Sequence, residues 1–288
     1  MTRRRLIPLA VALATLLPAG AAAARQESRF ALLDRHRIHY QSHGKGPEAI
    51  VLIHGWSCNL DNWREQIPEL SKRARVIAID LPGHGRSDKP ELTYSMELFA
   101  NAVEAVLRHA GIERAVLVGH SMGTPVARQF YRKFPQQTLG IVTVDGPLQP
   151  FADQQTMDGL VAALRDSGYR NMGSAMLAEM AGPGLTAELK GRINASFLHT
   201  PQHVLISAMA ALADSTIWGP DRILVPVLDL KAGSRGYPPD IEQRDRAIAP
   251  KLEFQRWEDA GHFLMMEHPR RFNAAVIAFL DQHGLLQR

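Results

Sequence analysis

The apolar, β-branched run Ala115-Val116-Leu117-Val118 stops at Gly119-His120-Ser121-Met122-Gly123, and a helix-like stretch over residues 124–134 follows at once. No other segment restricts the fold as much. A strand that becomes a helix within five residues must turn sharply, and the apex residue is held in a strained conformation. Glycines two positions before and after leave room where side chains would collide. Ser121 is that apex. A serine hydroxyl is a poor nucleophile until a base takes its proton and the backbone presents it. The G-x-S-x-G spacing presents it, and the helix that starts there points free N–H groups at negative charge developing beside Ser121.

The surrounding pattern alternates strand and helix. Residues 30–41 read as two short strands around a turn at Asp34-Arg35. Ala49-Ile50-Val51-Leu52-Ile53 is continuously apolar, as a parallel strand covered on both faces must be. Residues 62–70 have helical spacing, and Arg75-Val76-Ile77-Ala78-Ile79 is the next strand. Residues 96–110 repeat apolar positions at helical intervals up to Gly111, a natural C-cap. A strand over 140–144 completes a βαβαβ series, which implies a mostly parallel sheet with helices on both faces. From 148 to 220 no strand is legible, only Ala/Met/Leu-rich helical stretches cut by glycine and proline. The sheet is expected to resume at 223–230 and 252–257, and 269–282 closes the chain as an amphipathic helix. The expected organisation is a leader over 1–24, an α/β core over 25–147 and 221–288, and an inserted helical cap over 148–220. Its methionines fill the cap's own core for the most part, a minority facing the cleft.

The leader follows from Arg3-Arg4-Arg5, the apolar residues 6–17 and the small residues 21–24, the order of a secretory signal cleaved after Ala24. Thr2-Arg3-Arg4-Arg5-Leu6-Ile7 also resembles a twin-arginine signal. The apolar run is too short, and too interrupted by Pro8 and Pro18, to span a bilayer, so an exported, soluble protein is expected. The chain carries 33 basic and 29 acidic residues; removing the three leader arginines leaves 30 against 29. That near-neutral balance removes the electrostatic case for a nucleic-acid partner. Cys58 is the only cysteine, so no internal disulfide can form, and stability must come from a large core.

Chemistry-bearing residues fall after the strands, where open α/β sheets place their ligands. They are His54-Gly55-Trp56, the loop Asp80-Leu81-Pro82-Gly83-His84-Gly85-Arg86-Ser87, Ser121, Asp145 and Gly261-His262-Phe263 with Glu267 and Pro269 behind. In these stretches, and in their order, the chain resembles the α/β-hydrolase superfamily over nearly all of its mature length. The resemblance implies an α/β-hydrolase fold with Ser121 as nucleophile and His262 as general base. It implies an oxyanion hole from the backbone N–H groups of Trp56 and Met122. His54, His84 and His120 match positions that shape backbone turns and are given no proton transfer.

The acid departs from the commonest pattern of that superfamily. Arg235 stands where the carboxylate after the post-cap strand is expected. A variant arrangement places the acid one strand earlier, and Asp145 in Val142-Thr143-Val144-Asp145-Gly146 occupies that position. Asp145 is therefore favoured, with Asp240 and Asp229 as the alternatives.

Hydrolysis of a carboxylic ester through an acyl-enzyme is the reaction the resemblance favours, with a small ester-like molecule as substrate. A lactonase, a carbon–carbon bond hydrolase, an aminopeptidase and a cofactor-free perhydrolase share the same residue set. A small-molecule binding protein with vestigial hydrolysis is the alternative of another class. Haloalkane dehalogenases and epoxide hydrolases need an aspartate where Ser121 stands. Neither a metal-ligand motif nor a dinucleotide fingerprint occurs in the sequence, so no cofactor and no metal are expected.

Overall fold

A computed structural model of the chain describes residues 27–166 and 168–286. The proposed leader, residues 1–24, lies outside them. The chain enters as an antiparallel hairpin, β1 (Glu27–Leu33) and β2 (His36–His43), with Asp34 at φ 53° in the turn. β3 (Ala49–Ile53) follows, buried at all five positions. The helical spacing read over 62–70 is broken in the structure. A 3-10 turn at Leu60–Trp63 ends, and only Ile67–Leu70 is α-helical (α1). Pro68 explains the break: it has no N–H to give, and its ring would meet the carbonyl four residues back in a continuous helix.

β4 (Arg75–Ile79) and α2 (Met96–Ala110) come next. Ser95 caps α2 by accepting the Leu98 N–H at 3.0 Å, and Gly111 ends it in the left-handed region at φ 68°. β5 (Ala115–His120) leads into α3 (Gly123–Lys133), then β6 (Thr138–Val144). Four helices intervene before the sheet resumes: α4 (Gln154–Arg165), α5 (Tyr169–Met180), α6 (Ala187–His199) and α7 (Gln202–Ala213). They occupy the stretch expected to be the cap, with α4 packed on α7 and α5 on α6. β7 is Val227–Ala232 and not 223–230, because Pro226 has no N–H for the ladder although its carbonyl accepts from Ile141 at 3.0 Å. α8 (Ile241–Ile248), β8 (Leu252–Trp257), α9 (Leu264–Glu267) and α10 (Pro269–Gln282) complete the described chain.

The eight strands form one sheet in the order β1-β2-β4-β3-β5-β6-β7-β8, antiparallel at β1-β2 and β2-β4 and parallel elsewhere. Strand alternation divides the core. Ala49, Val51 and Ile53 join one cluster with Phe99, Val103, Val126 and Phe130 of α2 and α3. Ile50 and Leu52 join another with Ile67, Leu70, Phe272 and Val276 of α1 and α10. The carboxyl ends of β3, β5 and β6 are thereby held rigidly side by side, and the cap helices follow directly from that edge. Among the described residues no helix is long and apolar enough to cross a membrane.

Candidate active site

Ser121 stands at φ 51°, in the left-handed region. Its N–H donates to Val144 O at 2.9 Å and its carbonyl accepts the Thr124 N–H at 2.9 Å, so β6 and the first turn of α3 lock the apex from both sides. The flanking glycines are a matter of space: a Cβ on Gly119 would collide with the Gly123 carbonyl, and one on Gly123 with the Ile53 carbonyl. The strained serine is thus the outcome of two close backbone crossings.

Asp145 directly follows β6, stands at φ 46° and is buried. The His262 Nδ1–H donates to its Oδ2 at 2.5 Å, and the Ala232 N–H donates to its Oδ1 at 2.8 Å. The Asp145 N–H in turn reaches Leu230 O at 2.7 Å. With Nδ1 committed to the carboxylate, His262 keeps a lone pair on Nε2, and His262 and Ser121 line the same pocket. The other two candidate acids lie elsewhere. Asp240 is exposed, its carboxylate taken by Arg244 Nε at 2.8 Å. Asp229 is buried within β7, paired with Lys231 Nζ at 3.0 Å and accepting the Thr143 hydroxyl. Burial pushes the Asp229 carboxyl up to about 6, against the pull of Lys231. Arg235 falls in the 3-10 turn Gly233–Arg235 that follows β7.

The loop after β3 is shaped by His54. The Leu81 N–H donates to its Nε2 at 3.0 Å, which fixes Nδ1–H as donor to Gly55 O at 2.8 Å. Ser57 follows at φ 60°, and the Cys58 N–H closes the turn on Gly55 O at 3.2 Å. Among the described residues, the backbone N–H groups of Trp56 and Met122 have no hydrogen-bond partner, and both flank Ser121. Unspent donors beside a strained serine suit a developing oxyanion. The Trp56 indole does more than wall the pocket: its N–H donates to Leu205 O at 3.0 Å, fixing the loop to α7.

From sequence, His120 had only a turn-shaping place and Glu267 no specific task. His120 Nε2–H donates to the His262 carbonyl at 2.9 Å, its ring 4.7 Å from the His262 ring, so it braces the base from below. Glu267 accepts the Gly261 N–H at 3.1 Å and the Gly182 N–H at 3.3 Å, while the His262 N–H donates to Met180 O at 2.9 Å. The histidine loop and the end of α5 are therefore stitched together. Only the Glu267–Gly261 bond is local, six residues apart; the bonds of His120 to His262 and of Glu267 to Gly182 join segments far apart in the chain and have no signal in local sequence.

The pocket encloses about 480 Å³ of empty space, its open mouth included. Trp56, Met176, Leu177, Met180, Ile193 and Phe197 give it apolar walls, and Ser57 and Asn194 add polar atoms. Cys58 also lines it, but burial pushes its thiol up to about 12, which leaves no useful thiolate at neutral pH. No cluster of His, Cys, Asp and Glu suited to a metal ion occurs among the described residues.

Burial depresses the basicity of three of the histidines that shape this region. His54 and His120 are lowered and His84 falls to about 3, each through loss of solvation of its charged form. Their folded affinity for protons lies below the unfolded value near 6.5, so the unfolded chain binds more protons as pH falls. Their stabilisation is complete above about pH 6.5 and is lost as pH falls below it, for each group until its own lowered folded value is reached. Asp229 works in the opposite sense as one group against three. Melting temperature should decline steadily from pH 6.5 to 4. A flat profile would mean these rings are not buried neutral.

The comparisons agree with this architecture. Residues 48–180 match the alpha/beta hydrolase fold family. An uncharacterized protein of Mycobacterium tuberculosis is 44% identical over 288 residues, covering 88% of this chain and 81% of its own. The pimeloyl-[acyl-carrier protein] methyl ester esterase of Edwardsiella ictaluri is 30% identical, covering 83% of this chain and 95% of its own. The dihydrolipoyllysine-residue acetyltransferase component of the acetoin cleaving system of Pseudomonas putida is 30% identical over 83% of this chain, which spans only 65% of that longer protein. Among solved structures, Est816, described as an N-acyl homoserine lactone degrading enzyme, superposes with a TM-score of 0.77 at 27% identity, covering 87% of this chain and 100% of its own. Strand order, turn and relatives converge: the chain belongs to the α/β-hydrolase fold family.

Proposed function

We propose that this protein hydrolyses carboxylic esters through an acyl-enzyme formed on Ser121. The observation that carries this reading is the His262–Asp145 pair at 2.5 Å, whose ring shares a pocket with a serine at φ 51°. His262 Nε2 takes the Ser121 proton as Oγ attacks the ester carbonyl, and Asp145 stabilises the imidazolium so formed. The Trp56 and Met122 N–H groups receive the oxyanion. Collapse of the tetrahedral intermediate expels the alcohol, which takes the proton from His262. Water then repeats the sequence and releases the acid. A lactone is a cyclic ester and would follow the same steps. The lactone-degrading and methyl-ester-cleaving relatives support that class of substrate.

A fluorophosphonate should leave one adduct, on Ser121, and turnover of nitrophenyl esters should reach about 1–10³ per second. An adduct on another serine, or about one turnover in many minutes, would sink the proposal and favour a binding protein. The walls further predict a preference for short to medium apolar acyl chains. Phe197 is buried against Gly173, where a Cβ would strike its ring, so it limits the pocket's depth. Phe197→Ala should move the optimum to longer chains, changing relative kcat/KM by about tenfold or more. An unchanged chain-length profile would show that the acyl group does not reach α6.

A further inference from the structure

The end of β7 carries no usable acid, yet it holds two charged residues, Asp229 and Lys231, on one face of an otherwise apolar strand. Both are buried. Burying an ammonium is costly unless it is paired and hydrogen-bonded. Lys231 Nζ lies 3.0 Å from Asp229 Oδ1 and 3.6 Å from Asp245 Oδ2, and it donates to Gly146 O at 2.7 Å. Tyr237 packs its ring 5.2 Å from Nζ. Asp245 is held in turn by Gln149 at 2.9 Å.

Gly146 is the residue after Asp145. The Asp145 turn therefore meets three consecutive residues of β7. Leu230 accepts its N–H, Ala232 donates to its Oδ1, and Lys231 between them grips the next carbonyl. Asp145 itself sits at φ 46°, a conformation that persists only where the surroundings over-determine it. We propose that Lys231 is the positioning residue for the Asp145 carboxylate, fixing the strained turn after β6 so that Oδ2 meets His262 Nδ1. The inference rests on the acid role argued for Asp145. It gives β7 a task in place of the acid it lacks: β7 supplies the clamp, and β6 the carboxylate.

The test removes the clamp without changing the net buried charge. Lys231→Met/Asp229→Asn deletes one positive and one negative charge and leaves Asp245 on Gln149. The charged and titratable groups around the site (Asp145, His120, Glu267, Asp245, Tyr237 and Arg244) are unchanged. A carboxylate displaced by about an ångström costs about 10²-fold. That loss should fall on kcat, with KM nearly constant. Adding Asp145→Asn to this variant should cost far less than Asp145→Asn costs alone, because a displaced carboxylate has already lost its hold on His262 and the two act as a unit. A merely structural Lys231 would lower the melting temperature and leave both readings in place. If the double variant does not fold, Lys231→Met/Asp229→Asn/Asp245→Asn, which leaves no buried charge in the cluster, is read on kcat alone. Either variant folded and within threefold of wild type overturns the proposal. Asp145→Asn, measured alongside, separates the two readings: if it too retains near-wild-type kcat, the acid assignment has failed and not the clamp.

Discussion

Ser121→Ala should lower kcat on a chromogenic ester by about 10⁴–10⁶ while the protein remains folded. The backbone bonds that hold the apex run through the Ser121 N–H and carbonyl, not its side chain, so Val144 and Thr124 keep their partners in the variant. What disappears is the Oγ proposed to form the acyl bond. His262→Ala should lose nearly as much rate, since a hydroxyl without a base is as inert as no hydroxyl. The double variant should be little worse than either single one, because the residues act as a unit. Multiplying losses would show that the two side chains do not cooperate. Circular dichroism must accompany His262→Ala, because deleting the ring leaves Asp145 and His120 facing a cavity.

Asp145→Asn should cost about 10⁴ in kcat. The reason lies in the two partners of the carboxylate. Ala232 offers an N–H to Oδ1, so the amide oxygen of an asparagine must face Ala232 and its NH₂ must face His262. Nδ1 then has to accept, and the ring proton moves to Nε2, where a base needs its lone pair. The fold survives while the tautomer is wrong. Asp240→Asn breaks only an exposed pair with Arg244 and should leave kcat within twofold, since such pairs contribute little. Asp229→Asn leaves Lys231 on Gly146 and Asp245 and should cost tenfold at most. A large loss in either of these with a small one in Asp145→Asn would reverse the assignment.

Much of the framework was legible because burial saturates the pattern. β3 is buried at every one of its five positions, and the boundaries read for β3, β4, α2, β8 and α10 coincide with the observed ones. Two of the boundaries that slipped did so at a proline: Pro68 split the helix read over 62–70, and Pro226 delayed the start of β7, while β1, β2 and β6 simply extend two or three residues beyond the stretches read for them. Ser121, His262 and Asp145 were legible as candidates because each follows the carboxyl end of a strand of the one sheet. The supports were not. The His120 bond to His262 O and the Trp56 bond to Leu205 O join residues more than a hundred positions apart, which no local spacing encodes. Asp229 and Lys231 did leave a signal, two charges at alternate positions of an apolar strand. Considering Asp229 only as an acid obscured the more economical meaning of that spacing, a buried ion pair.

The stitching of Met180 and Gly182 to the histidine loop alters how this chain can be treated as modular. The cap is inserted between β6 and β7, which suggests two cut points for exchanging it with that of a relative. The structure has a third seam. Whatever replaces α5 must return a carbonyl at Met180 to the His262 N–H and bring Gly182 against Gly261, where a Cβ would collide. A transplanted cap that matches only at its two ends would arrive with the base misaligned. Lengthening the chain across 180–182 would pull Met180 and Gly182 out of that seam.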